Sequence, residues 1–212
     1  MAASPPLLTA RKLACERYDL PIFSPVDFTV DAGEILQVCG PNGVGKTTLL
    51  RTVAGLFHEV RGELLWRGQA LHGCRVEFNQ ELPYIGHRSG VKSQLSPEQN
   101  LAWMAALHGQ PGAITITEAL GRAGLERDRH VPCGRLSAGQ NRRVALARLY
   151  LDRQALWILD EPFTSIDHAG AEALEQAVID HAQRGGCVLM TTHRPSILAM
   201  PGYRSLTLTE AL

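Results

Sequence analysis

The sequence predicts an α/β fold: a parallel sheet buried on both faces, interrupted by a helical insertion. Two short apolar runs, ALWILD at 155–160 and CVLMTTH at 187–193, are separated by a helical stretch at about 168–184. Apolar strands separated by helices are typical of a parallel sheet covered on both faces. A third apolar run, ILQVC at 35–39, leads into a glycine-rich loop and another helix, so the strand–helix alternation recurs.

The N-terminal part is predicted to contain strands on either side of the first helix. Residues 27–39, DFTVDAGEILQVC, alternate in polarity and then become apolar, which predicts two strands joined at residues 32–33. A helix is expected over residues 46–57. The segment GELLWRG, residues 62–68, is typical of a short strand that ends in a turn.

Capping residues predict three helices in the middle of the chain. SPEQ at 96–99 forms a capping box with proline at the first helical position, and it opens a helix that reaches about Leu107. Thr117 is expected to cap a second helix that Gly124 ends. Ser137 and Gln140 have capping-box spacing and open the third helix.

Length, composition and charge restrict the class of protein. The 212 residues suit one large domain or two small lobes, and 45% hydrophobic residues are ordinary for a globular protein with a core. Lysine plus arginine equals aspartate plus glutamate, 21 each. A net charge of zero gives no bulk attraction for a polyanion, so we expect no nucleic-acid partner.

Cysteine usage and hydropathy predict a cytoplasmic protein. The five cysteines are scattered and none forms a C-x-x-C pair, which indicates neither a metal site nor a disulfide framework. The first 19 residues lack a continuous apolar segment, so we expect no signal peptide. No run approaches the about 18 apolar residues that cross a bilayer, so a link to a membrane must come through a partner.

A phosphate-binding loop is the strongest motif in the chain. GPNGVGKTT, residues 40–48, matches G-x-x-x-x-G-K-[ST] between a predicted strand and a predicted helix. The glycines let backbone N–H groups turn inward around an anion, the lysine reaches the β- and γ-phosphates and the first threonine ligates Mg²⁺. An ordinary glycine-rich turn is the alternative, but every position and both flanks agree with a nucleotide site. The predicted contacts are Gly40, Pro41, Asn42, Gly43, Val44, Gly45, Lys46, Thr47 and Thr48.

Two strand ends supply candidate catalytic groups. LWILDEP, residues 156–162, delivers Asp160 for the magnesium shell and Glu161 as general base at the carboxyl end of a strand, where ligands bind on open α/β sheets. His193 follows the next apolar strand and is predicted to contact the γ-phosphate and position the attacking water. The alternatives are a solvated pair of acids and a structural histidine.

The segment RLSAGQ, residues 135–140, predicts a second phosphate site at a helix N-terminus. Ser137, Ala138, Gly139 and Gln140 open this helix, and a small residue there lets the backbone approach an anion closely. Because one nucleotide needs only one such cradle from its own chain, we expect this site to serve the nucleotide of a second copy in a head-to-tail dimer. A simple capped helix is the alternative.

The motifs GPNGVGKTT, LSAGQ, ILDEP, SID (165–167) and TTH (191–193), in that order, resemble the ABC-type ATPase family. The resemblance implies ATP and Mg²⁺ as cofactors and places Asp167 at the dimer interface. It also implies a P-loop fold with a mostly parallel core sheet, a small antiparallel β part and a helical subdomain. One ABC domain would span residues 1–212, with a catalytic lobe at about 1–86 and 152–212 and the helical subdomain at about 87–151.

A narrower likeness concerns cargo. YIGHRSGVKSQLSPEQNL, QNRRVALARL and WILDEPFTSID are similar to the ATPase subunit of the haem exporter of bacterial cytochrome c maturation. That family implies a peripheral subunit on the cytoplasmic face of the inner membrane, which energises an integral membrane subunit for haem export or for release of a haem-loaded chaperone. An ABC ATPase for another cargo, a soluble non-transport ABC ATPase and a small P-loop kinase are the alternatives.

Two positions depart from the ABC pattern. A glutamine that contacts Mg²⁺ and the membrane subunit usually precedes the helical insertion, but IGHRSG places His87 or Arg88 there, and Gln94 is too far along. The adenine-stacking aromatic should lie about 23 residues before the first glycine of the phosphate loop. Arg17 falls at that spacing and Tyr18 follows it; we favour Tyr18, with arginine stacking or no stacking as alternatives.

Overall fold

The computed structural model describes residues 5–18, 20–57, 60–108, 114–151 and 154–211, and these form ten strands and six α-helices. Short 3₁₀ turns at Leu71–Gly73, Cys133–Arg135 and Pro195–Ala199 join some of them. The strands are β1 (Leu8–Arg17), β2 (Leu20–Pro21), β3 (Val26–Val30), β4 (Ile35–Cys39), β5 (Val60–Trp66), β6 (Gln69–Ala70), β7 (Tyr84–Ile85), β8 (Leu156–Asp160), β9 (Cys187–Thr191) and β10 (Tyr203–Thr207). The helices are α1 (Lys46–Val53), α2 (Arg75–Gln80), α3 (Pro97–His108), α4 (Ile116–Arg122), α5 (Ala138–Leu151) and α6 (His168–Gln183).

A five-stranded parallel sheet forms the centre, in the order β10-β4-β9-β8-β7. Every residue of β8 and β9 is buried. Alternate residues of these strands join different apolar clusters: Ile158 packs with the α1 side of the sheet, and Leu159 packs with the α5 and α6 side. The predicted parallel sheet, covered on both faces, is therefore confirmed.

A smaller antiparallel sheet packs against the α1 side. Its central strand β1 pairs with both β3 and β5, and the register shifts along both pairings. Lys12 has a φ of 46° at this irregularity, and its carbonyl oxygen would lie 2.3 Å from a Cβ placed at Gly62. Only glycine fits there, so Gly62 lets β5 approach the bulged strand.

Helices α3, α4 and α5 enclose a third apolar cluster, which includes Leu101, Leu120 and Val144. These helices lie in the chain between β7 and β8. Helix α5 also contributes Leu146 and Leu149 to the cluster beneath the sheet, so it connects the helical part to the core that carries the strand ends.

Two of the three predicted caps are confirmed. The hydroxyls of Ser96 and Ser137 accept hydrogen bonds from the backbone N–H groups three residues later, at 3.3 and 3.1 Å. The prediction of Thr117 as the second cap is wrong. Thr115 caps α4, because its hydroxyl accepts from the backbone N–H of Glu118 at 3.2 Å and the Glu118 carboxylate accepts from the Thr115 N–H at 2.7 Å.

Other boundaries also differ from the expectations. The helix expected over 46–57 ends at Val53, because Gly55 follows with a φ of 70°. The strand expected to end at His193 ends at Thr191. Six further elements were not predicted from the sequence: β1, β2, β6, β7, β10 and α2. None of the five cysteines, which all lie in the described part of the chain, forms a disulfide. Among the described helices, none combines the length and hydropathy that a membrane span needs.

Candidate nucleotide site

The phosphate loop lies between β4 and α1, at the carboxyl edge of the parallel sheet. Gly40, Gly43 and Gly45 have φ values of 140°, 88° and 102°. A Cβ at Gly45 would lie 2.9 Å from the side chains of both Ile22 and Phe23. The loop therefore needs glycine for its backbone turns, and at Gly45 also for its close packing.

Positive charge and helix N–H groups converge on this loop. Lys46 Nζ donates hydrogen bonds to the carbonyl oxygens of Gly40 at 2.7 Å and Pro41 at 3.0 Å. Val44 is buried and anchors the loop, whereas Pro41, Asn42 and Gly43 are exposed. Thr47 and Thr48 lie half-buried in the first turn of α1, which contains no acidic residue. This arrangement suits a polyphosphate.

Asp160 lies at the end of β8 and is only 3% exposed. Its Oδ1 accepts a hydrogen bond from the Thr191 hydroxyl at 2.7 Å, and Thr191 pairs with it across β8 and β9. The carboxylate of Asp160 and the hydroxyl of Thr47 are hard oxygen donors, which fit Mg²⁺. Thr191 belongs to the TTH motif, but its role as a partner of Asp160 was not predicted from the sequence.

Glu161 and His193 come together although they follow different strands. The Nε2 of His193 lies 3.4 Å from Oε1 of Glu161, and the His193 side chain is 74% exposed. Glu161 has a φ of 46°, and its backbone N–H donates to the backbone oxygen of Thr191 at 3.2 Å and to its hydroxyl at 2.9 Å. The carboxylate and the imidazole therefore point to one exposed edge beside the phosphate loop.

The start of α5 has exposed residues at Ser137 and Ala138. The side-chain oxygen of Gln140 accepts from the Ser137 N–H at 2.8 Å, which completes the predicted capping box. A Cβ at Gly139 would lie 2.9 Å from the carbonyl oxygen of Ser165. Close packing within the chain is thus one reason for glycine here, in addition to the approach of an anion that the sequence analysis proposed.

Asp167 occupies the N-cap of α6. Its Oδ1 accepts from the backbone N–H of Gly170 at 2.9 Å, and its Oδ2 lies 3.9 Å from Nη1 of Arg143. The side chain of Asp167 is 61% exposed. It is thus held in a defined orientation while it remains accessible from outside the chain.

The two departures from the ABC pattern lie on the surface. Tyr18 is 83% exposed between β1 and β2, with a φ of 54°, whereas the side chain of Arg17 lies outside the described structure. His87 and Arg88 are exposed directly after β7, and Gln94 is exposed farther along the chain. A cavity of about 250 Å³ lies between the segment after β7, the start of α5 and the segment after β8. It is lined by His87, Ser89, Ala138, Asn141, Arg142, Glu161, Thr164 and Ser165.

Sequence reasoning missed Arg142, which the structure places under this cavity. It is 5% exposed, and its guanidinium donates to backbone oxygens of three residues around the strand ends. Arg142 is one of several arginines after RLSAGQ, and arginine as a residue type does not predict burial. The signal that could have found it is helical spacing, because Arg142 lies on the same side of α5 as the buried Leu146 and Leu149.

Comparison with known proteins decides the family. Residues 23–164, which include the phosphate loop, RLSAGQ and the ILDEP strand, match the sequence profile of the family described as ABC transporter. This chain belongs to the ABC transporter family. The ABC ATPase is 47% identical over 204 residues to the cytochrome c biogenesis ATP-binding export proteins CcmA of Shigella flexneri and Escherichia coli K12. The match covers 96% of this chain and 97% of each relative.

Solved structures show the same ABC ATPase fold. The ATP-binding subunit of an ABC transporter superposes with a TM-score of 0.80 at 25% identity, over 90% of this chain and 80% of that one. A dimeric ATP-binding cassette in a post-hydrolysis state with ADP and phosphate gives a TM-score of 0.78 at 20% identity, over 89% of each chain. The predicted fold class is confirmed, and the ABC ATPase hydrolyses ATP as its family does.

Proposed function

We propose that this chain is the ATP-hydrolysing subunit of an ABC transporter complex for cytochrome c maturation, where it drives haem export or release of a haem-loaded chaperone. Near full-length similarity to CcmA carries the proposal, since 47% identity extends over 96% of the chain. The subunit would sit on the cytoplasmic face of the bacterial inner membrane and energise a separate integral membrane subunit. An ABC transporter ATPase for another cargo is the alternative.

Binding of ATP would begin at the phosphate loop, Gly40 to Thr48. The inward backbone N–H groups hold the phosphates, and Lys46 exchanges its two carbonyl partners for phosphate oxygens. Thr47 and Asp160 would hold Mg²⁺, which neutralises charge on the β- and γ-phosphates when it is bound. Tyr18, exposed at the end of β1, is proposed to stack on adenine.

Hydrolysis would follow from the pair of groups at the sheet edge. Glu161 accepts a proton from the water that attacks the γ-phosphorus, as a general base. His193 lies 3.4 Å from the same carboxylate, so it can contact the γ-phosphate and orient that water. Asp160 is buried and already accepts a hydrogen bond from Thr191, which favours the role of metal ligand over that of base.

The active site would be completed by a second copy of the chain. Ser137, Ala138, Gly139 and Gln140 at the start of α5, together with Asp167, are proposed to face the nucleotide of the partner in a head-to-tail ATP-bound dimer. The exposure of Ser137, Ala138 and Asp167 supports this assignment, because an interface residue must be accessible in the single chain. The helical segment at about 87–151 would form the lobe that carries this surface.

The proposal is tested by Lys46→Ala in cells that depend on this protein for c-type cytochromes. Loss of the lysine should weaken ATP binding and abolish the yield of covalent c-type cytochrome. His72→Gln is the matched control, because His72 is exposed and lies far along the chain from the proposed site. An unchanged yield in Lys46→Ala cells would reject the role in cytochrome c maturation, and the membrane protein that co-purifies with the chain would then identify the other cargo.

A further inference from the structure

We infer that Arg142 is a positioning residue that connects the surface loop at residues 86–88 to the general base Glu161. The inference rests on the proposed function for the role of Glu161 and for the presence of a membrane subunit. It goes beyond that function because it gives a role to a buried residue that has none in the proposed mechanism.

One buried guanidinium joins three segments of the chain. Arg142 belongs to α5, and its Nη1 donates to the carbonyl oxygen of Gly86 at 2.5 Å, directly after β7. Its Nη2 donates to the carbonyl oxygen of Asp160 at 3.3 Å, at the end of β8, and to that of Glu161 at 2.9 Å, directly after the strand. Movement of α5 or of the loop after β7 must therefore act on the backbone that carries the base.

The backbone of Glu161 is held in a conformation that needs such support. A φ of 46° is in the left-handed region, which is strained for a non-glycine residue and persists only where the surroundings impose it. Thr191 fixes the N–H side of Glu161, and its carbonyl oxygen accepts from Arg142 at 2.9 Å and from the Thr164 N–H at 3.3 Å. Without the guanidinium, the left-handed backbone loses the shorter of these two carbonyl contacts, and the carboxylate moves from its place beside His193.

The geometry requires arginine rather than any cation. The planar fork presents two N–H-bearing ends in fixed directions, whereas lysine offers one ammonium on a flexible stem. Burial lowers the pKa of the Arg142 guanidinium, and the nearby carboxylate of Asp160 opposes that shift. The two terminal nitrogens have partners, but Nε has none within the described part of the chain. This buried cation is retained at a cost in solvation, which favours a functional role over a purely stabilising one.

The surface end of this connection lies where the family's coupling glutamine is absent. Gly86 is followed by the exposed His87 and Arg88, and His87, Arg142 and Glu161 line the same cavity. When a membrane subunit binds His87 or Arg88, it displaces the backbone of this loop. The carbonyl oxygen of Gly86 then moves, and so does the Arg142 guanidinium that is hydrogen-bonded to it. Arg142 would thus transmit docking to Glu161 through backbone hydrogen bonds, without a side chain that ligates the metal.

The test compares Arg142→Lys and Arg142→Gln with Arg122→Gln, a matched control on the exposed end of α4. We expect kcat of the purified protein to fall about 10–100-fold in both Arg142 variants, because displacement of a reacting group by about 1 Å can cost that much. The KM for ATP should stay close to wild type when it is measured well below the unfolding midpoint, which the loss of buried hydrogen bonds should lower in both variants. Stimulation of hydrolysis by the membrane subunit should disappear, and guanidinium added to Arg142→Ala should restore part of kcat.

A double variant separates positioning from direct or structural effects. If Arg142 acts through Glu161, adding Arg142→Gln to Glu161→Gln should slow single-turnover hydrolysis little further. Losses of rate that multiply in the double variant would overturn the inference, as would a KM for ATP that rises by as large a factor as kcat falls. A wild-type rate for Glu161→Gln alone would overturn the proposed base together with this inference. None of these assays depends on cargo, so the cytochrome assignment is judged separately.

Discussion

Acid should destabilise this protein through His181, a buried histidine remote from the nucleotide site. It is 5% exposed, and its ring stacks on Trp157 with centroids 4.0 Å apart and planes 9° from parallel. A Cβ at Gly186 would lie 2.2 Å from the ring, so glycine is required beside it. The ring lies at the amino-terminal edge of the sheet, in the wall of a cavity of about 970 Å³.

Burial is the main cause of a pKa for His181 of about 4, against an ordinary value of 6.5, and the charge of Arg184 lowers it further. The hydrogen bond to the Cys187 carbonyl oxygen, 3.3 Å from Nε2, opposes that shift. Between pH 6.5 and 4 the unfolded chain binds a proton that the folded chain does not. At 1.36 kcal/mol per pKa unit, the free energy of unfolding should fall by about 2 kcal/mol at pH 5 and by about 3 kcal/mol at pH 4.

The assay is urea unfolding of wild type and His181→Gln, followed by circular dichroism from pH 8 to pH 4. Glutamine keeps an N–H donor for the Cys187 oxygen but does not titrate. The variant should be less stable than wild type at pH 8, because glutamine cannot stack on Trp157. The difference in the free energy of unfolding between the two proteins should shrink as the pH falls. His72→Gln, an exposed control, should follow the wild-type curve. Parallel curves for wild type and His181→Gln would refute the reasoning.

Three predictions concern the site itself. Glu161→Gln should slow ATP hydrolysis about 10²–10⁴-fold while ATP binding survives. An ATP-bound dimer should then accumulate in size-exclusion chromatography. A wild-type rate would show that Glu161 is not the general base. Ser137→Arg should abolish hydrolysis while the monomer still binds ATP, and loss of binding in calorimetry would mean that the start of α5 serves its own nucleotide. Arg88→Gln should leave the ATPase rate of the assembled complex unchanged or raise it modestly. Arg88→Glu should weaken stimulation of the ATPase rate by the membrane subunit. An inactive Arg88→Gln variant would show that this arginine is essential.

Local signals in the sequence were reliable where chemistry and spacing agree. Ser96 and Ser137 were predictable as caps because a hydroxyl and a glutamine three residues later satisfy each other's backbone donors. Thr115 was missed because Thr117 offers the same hydroxyl. Only Thr115 has a glutamate three residues later, Glu118, as a capping box requires, and that spacing is visible in the sequence.

Long-range features could not be predicted from local patterns. Strand β1 carries a bulge at Lys12 that breaks its alternation, and β10 is an edge strand with mostly exposed residues, so neither shows a clean period. The phosphate loop identified the site of the nucleotide, but nothing near Arg142 in the chain indicates that three backbone oxygens surround it. The three oxygens lie at the carboxyl ends of β7 and β8, and the tertiary fold alone places these strand ends beside α5.

The parallel pairing of β10 with β4 has a consequence for the newly made chain. A Cβ at Gly40 would lie 2.9 Å from the carbonyl oxygen of Leu208, and the Leu208 N–H donates to the carbonyl oxygen of Cys39 at 2.9 Å. The phosphate loop thus packs against residues that lie some 170 positions later in the chain. A chain emerging from the ribosome cannot build a supported phosphate loop until β10 has left the exit tunnel and paired with β4. Support for the phosphate loop therefore depends on a strand that is made long after the loop itself.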